Sequence, residues 1–148
     1  MHKAYRVSIL YFLLFALLLL ATASALFAQK IGFTQADVLS YYLGNEALFI
    51  APKSVVGVLK IILPHIFAYA LFVMVVLHFL IFTKMRNKRE LDFLIYASYV
   101  SIAAELFSPF FIMAGLEFFA YVKIAAFFTM STLQLYISYL LFDSIFKA

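Results

Sequence analysis

The strongest constraint on this chain is a set of four long apolar stretches, at 7–28, 55–82, 91–115 and 121–142. A helix needs about 20 mostly apolar residues to cross the hydrocarbon of a bilayer. Inside that layer no water is available to satisfy backbone N–H and C=O groups, so the chain must close its hydrogen bonds within each segment. Composition points the same way. The chain is 68% hydrophobic and 12% charged, whereas a soluble domain is about half apolar and about a quarter charged. The expected fold is an all-α integral membrane protein, a single domain over 1–148 built as a four-transmembrane-helix antiparallel bundle. The second stretch is the longest and is expected to tilt or to begin with an interfacial turn near Lys60.

Lys and Arg set the orientation of such a bundle. With the N-terminus inside, the inner side carries Lys3, Arg6, Lys84, Arg86, Lys88, Arg89 and Lys147, and the outer side carries Lys30, Lys53, Lys60 and Lys123. The excess predicts both termini in the cytoplasm, with "TKMRNKRE" as the strongest single signal. The first stretch also reads as a signal peptide. It has a basic start, "MHKAYR", an apolar centre and an A-x-A pattern at Ala23 and Ala25. Its apolar run nevertheless continues to full spanning length, and either reading leaves the later topology unchanged. The outer loop, 29–54, contains "TQADVLSYYLG", which predicts a short interfacial helix. Thr34 can cap it, Asp37 completes a capping box, and Gly44 suits its stop. Trp is absent, so Tyr must supply most of any aromatic belt.

Ionisable residues inside spans are costly and face the bundle interior. Span 3 places Ser98, Ser101, Glu105 and Ser108 on one helical stripe, and span 4 repeats the pattern with Ser131, Gln134 and Ser138. Small hydroxyl residues in such seams let membrane helices approach and cross-bond. Pro109 frees the carbonyl of Glu105. The Glu105 carboxyl lies about 15 Å below the outer end of its span, so it must be protonated or paired. His65 sits at comparable depth in the neighbouring span. The expected site is therefore a buried His65–Glu105–Gln134 cluster, able to fix helix register, relay a proton or orient a ligand.

His78 follows His65 on the same helix, but the two rings point about 140° apart and lie about 20 Å apart along the axis. They cannot share a metal, and His78 is expected at the inner interface. Both are possible ligands to haem b. No other span contains a His, so a bis-histidine site requires a homodimer, and an axial Met would come from Met74, Met113 or Met130. A proton pathway through Glu105, His65, Gln134 and the serines is a further reading, although no inverted repeat supports it. No catalytic residue and no metal site are expected: Cys is absent, and neither H-E-x-x-H nor G-x-S-x-G occurs. The charges form no basic run with interleaved aromatics, so nucleic acid is not an expected partner. The expected partners are the lipid bilayer and either a larger membrane complex or a second copy. The reading that best fits these features is a non-catalytic accessory or assembly subunit.

At "APKSVVGVLKIILPHIF…LHFLIF", followed by an acid and a proline in span 3, the chain resembles a family of small four-span inner-membrane proteins of proteobacteria. Lys53, Ser54 and His65 carry the likeness, which extends over most of the chain. It implies a bacterial inner-membrane location and no particular activity. Members of that family carry a further His two positions before the matched one. Leu63 occupies that place here, which removes one ligand from any metal or haem site the resemblance would imply.

Overall fold

The computed structural model describes residues 3–80 and 88–147. Four long helices form the bundle: α1 (Lys3–Lys30), α3 (Val55–Leu80), α4 (Lys88–Met113) and α5 (Phe119–Lys147). Each is long and apolar enough to cross a membrane. The short α2 (Gln35–Leu43) lies between α1 and α3 in sequence, and there is no strand among the described residues. The connection from α3 to α4, with the expected span end at Phe82 and the cations Lys84 and Arg86, lies outside the described residues.

The helices α4 and α5 are the most extensively packed pair. They are joined by a tight turn in which Gly115 adopts φ +89°, so they run antiparallel and in register. Lys123 meets Glu105 near the turn. Further along, the Tyr136 hydroxyl donates to Glu90 Oε1 at 2.7 Å. Two apolar clusters fill the bundle. One, at the α2 end, gathers Phe27, Val38, Tyr42, Ile62, Leu106 and Phe127, among others. The other, at the opposite end, gathers Ile9, Leu13, Val76, Leu94 and Leu141 with their neighbours. Large apolar side chains also cover the outside of the bundle, as expected where lipid is the solvent.

The polar seams lie inside. Ser98, Ser101, Ser108 and Ser138 are buried. The Ser101 hydroxyl donates to the Ser98 carbonyl at 3.0 Å. Such back-bonds satisfy the hydroxyl locally while leaving only a small side chain at the contact. Ser131 is half-buried, and its hydroxyl oxygen has no hydrogen-bond partner among the described residues.

The start of α2 follows from local chemistry. The Thr34 hydroxyl accepts from the Asp37 N–H at 3.1 Å, and Asp37 Oδ2 accepts from the Thr34 N–H at 3.2 Å. This reciprocal box satisfies two N–H groups that a helix start would otherwise leave open. The helix stops at Gly44, whose φ of +85° suits glycine. A Cβ there would also come within 2.8 Å of the Ile50 carbonyl oxygen. Val38 and Tyr42, one turn apart, point into the bundle and are both buried. The Tyr121 hydroxyl donates to Gln35 Oε1 at 2.7 Å, tying the start of α2 to the start of α5.

Thr34→Ala removes the cap acceptor and should cost about 1 kcal/mol. Because the box is local, the expected readout is faster amide exchange in 35–43 with α4 and α5 unchanged. Equal protection of α2 in the variant and the parent would show that packing alone holds the helix.

Candidate functional site

The α2 end contains a cavity of about 240 Å³. The helices α4 and α5 supply its floor, with Glu105, Pro109 and Lys123. Tyr41 and Tyr42 of α2 roof it, and α1 and α3 form its sides.

The floor is an ion pair. Lys123 Nζ lies 2.5 Å from Glu105 Oε1, and Lys123 is only 3% exposed. The same ammonium donates to the Glu105 backbone carbonyl at 3.0 Å. That carbonyl is open because Pro109, four residues on, has no N–H to offer it. The Ser108 hydroxyl also donates to it, at 3.1 Å. One proline therefore creates an acceptor, and a lysine from the next helix uses it together with the carboxylate. Charge-assisted hydrogen bonds of this kind are the strong ones, and here they join α4 to α5. Tyr42 closes the site from above, with Lys123 Nζ 5.9 Å from its ring centroid. Burial pushes the Tyr42 phenol above its ordinary range, and the nearby Glu105 charge pushes it further the same way. Tyr42 is thus a neutral hydrogen-bond donor at any physiological pH.

His65 lines the same cavity but does not bond Glu105. It lies on an exposed face of α3, with Nδ1 2.6 Å from the Ile61 carbonyl oxygen. A carbonyl only accepts, so Nδ1 carries a proton, and in the neutral ring the lone pair is on Nε2. Pro64, immediately before His65, lies within α3 without ending it. Gln134 is elsewhere: it lines smaller cavities further down the bundle, beside Phe72, Met130 and Ile137. His78 is exposed near the far end of α3, its ring centroid 6.5 Å from that of Phe79. Of the methionines, Met130 is buried, Met113 half-buried and Met74 exposed, and none lines the cavity with His65.

The structure therefore brings His65 and Glu105 to one cavity, places Gln134 apart, and gives Glu105 a cation as its partner. Lys123 escaped the sequence reading because it stands just inside the fourth span and was counted with the outer-side cations. A signal was available. Glu105 and Lys123 are the same number of residues from Ala114 on either side, so a tight antiparallel hairpin centred there sets them level. Tyr42 and Tyr69 were also missed as site residues. Tyr42 could have been found from its position one turn after Val38, on the buried face of α2. No group of three or more His, Asp or Glu side chains suited to a metal ion occurs among the described residues.

Removing one member of a buried ion pair leaves the other uncompensated, at a cost of about 3–5 kcal/mol, whereas replacing both by apolar residues is often neutral. Lys123→Met should therefore lower the thermal midpoint in detergent sharply. Adding Glu105→Leu to it should recover most of the loss. Additive losses in the double variant would mean that the two groups do not act as a pair.

No curated protein and no solved structure matches the chain. A family model does match, over residues 32–148, from just after α1 through the whole of α2 to α5. The matched region contains Glu105, Lys123, Tyr42 and His65, and it carries three of the four apolar helices. The chain is a multi-pass membrane protein, and it belongs to the family described as a transmembrane helical domain, Aq_1264_TM.

Proposed function

We propose that this protein is a non-catalytic accessory or assembly subunit of a bacterial inner membrane, docked beside a larger membrane complex or on a second copy. The observation that carries this reading is how the buried charges are used. Glu105 and Lys123 neutralise each other, and the open carbonyl beside them is taken by the same lysine and by Ser108. These groups hold helices together, and the pair leaves neither a free carboxylate nor a free ammonium at the floor for acid–base work. The polar cluster proposed here is thus Glu105–Lys123 with His65 at its edge, and Gln134 and the serines act as packing polar groups along the helices. Orientation follows from the remaining cations. With Lys123 paired inside the bundle, the balance becomes seven against three, which supports cytoplasmic termini and an outward-facing α2.

The test is native gel electrophoresis of membranes solubilised in mild detergent, with the chain tagged. The expected result is migration in one larger assembly of fixed stoichiometry. A lone monomer at every detergent level would remove the accessory reading.

One observation favours a second reading, a haem b site. The Nδ1–H bond to Ile61 leaves His65 Nε2 as a neutral ligand atom on an exposed face of α3, the arrangement that axial histidines use. With no second His and no Met among the described residues that line the cavity with it, a haem there would lie between two copies. A reduced-minus-oxidised visible spectrum of the purified protein should then show a Soret and an α band that His65→Ala abolishes. Protein produced with ample haem and showing no band would eliminate this reading.

A further inference from the structure

We propose that the cavity at the α2 end is a binding site for the neutral ring head of a lipid-soluble quinone or quinol, which enters sideways between α1 and α3. Four features carry the assignment: where the cavity opens, its charge balance, its unused hydrogen-bonding groups and its size.

The opening is lateral. Away from α2, the two helices are closed against each other by Phe12, whose ring lies 5.8 Å from that of Phe72 and 5.5 Å from that of Phe79. Toward α2 the cavity is lined by Ala23 and Leu26 of α1 on one side and by Ile61 and His65 of α3 on the other. Leu26 of α1 and Ile61 of α3 both line the cavity and remain exposed on the side of the bundle. In a bilayer that face meets acyl chains, so the molecules with direct access are those dissolved in lipid.

The interior has no net charge to offer. Its two buried ions cancel at the floor, and Lys30, the remaining cation of the lining, is exposed at the rim. A charged head that passes Lys30 to reach the floor would find no unpaired counter-ion there, at a heavy desolvation cost. A neutral head would not. Hydrogen bonding is available instead. Tyr42 and Tyr69 line this cavity, and neither hydroxyl is bonded to a protein group among the described residues. Each can donate to a carbonyl oxygen. His65 Nε2, left with its lone pair, can accept from a hydroxyl. Two donors and one acceptor suit a ring that carries oxygens at opposite ends in either redox state.

Size and shape agree. A volume of about 240 Å³ exceeds the roughly 150 Å³ of an apolar cavity that takes up a benzene ring, so it has room for one substituted six-membered ring. The wall beside it is aromatic: Phe27 and Phe127 stack at 4.0 Å and 16°, and flat rings pack well against such a face. The site stands whether or not the chain docks on a larger complex.

The test uses the full chain in nanodiscs of neutral lipid, titrated calorimetrically with a benzoquinone bearing a decyl tail. Saturable binding at one ligand per chain is expected. Tyr69→Phe and Tyr42→Phe each remove one donor while keeping the ring, and each should weaken Kd about fivefold. Tyr96→Phe, which removes an exposed phenol of α4 outside the cavity, should leave Kd unchanged. Helicity and monodispersity check each variant, and if Tyr42→Phe does not fold, Tyr69→Phe and His65→Ala carry the comparison. Absence of saturable binding would overturn the proposal. So would equal binding by all variants, which marks partition into the bilayer. Displacement of the quinone by phosphatidylglycerol would also overturn it and assign the cavity to an anionic lipid head.

Discussion

A charge buried in a membrane protein has to be neutralised where it lies, because neither water nor lipid will do it at acceptable cost. The pair formed by Glu105 and Lys123 meets that condition, and much of the structure is arranged around it. The pair joins α4 to α5 across their hairpin. Pro109 opens the carbonyl that gives the ammonium its second acceptor. Tyr42 covers the pair, and α2 is held over it by the Tyr121–Gln35 bond and by the burial of Val38. The interaction selects register as well as adding attraction. Sliding α5 by one residue would turn Lys123 about 100° away from Glu105 and leave two uncompensated ions. Specificity of this kind is the best-attested use of buried polar groups.

Around this frame the other two long helices are attached less closely. Phe12 of α1 packs on Phe72 and Phe79 of α3 at the end away from α2, and toward α2 residues of both helices line the cavity. Site and scaffold are therefore continuous. The residues that set the height of the floor also fix the register of the bundle, and the residue that roofs the cavity also buries the short helix. A loss of the ion pair would be felt as a change in the cavity before it was felt as a change in topology, since the long apolar helices are held by lipid in any case.

The helices were legible in the sequence because each depends on local information: apolar length for the four long ones, and "TQAD" with a later glycine for α2. The need of Glu105 for a partner was equally legible, since it follows from burial alone. Its identity was not. A pairing across two helices depends on where the turn falls, and "MAGLEFF" can be turned at more than one residue. Lys123 also carried a competing explanation as a flanking cation near a membrane end, which the buried geometry replaces. His65 illustrates a different limit. Depth along a helix can be counted from the sequence, but the face a residue presents depends on neighbours. The imidazole here bonds its own helix instead of reaching across. Gln134 lies on a stripe with Ser131 and Ser138, yet a shared stripe does not imply a shared level, and it is set well below the ion pair.

The family match begins at Gly32, so α1 lies outside the matched residues, yet Ala23, Leu26 and Phe27 of α1 help to enclose the cavity. The enclosure is thus composite. Its ion pair and its tyrosines lie within the matched residues, while α1, which contributes no ionised group to the floor, frames part of its aperture. Exchanging that helix for another of similar length would redraw the doorway and replace Lys30 at the rim, while the ion pair at the floor would stay as it is.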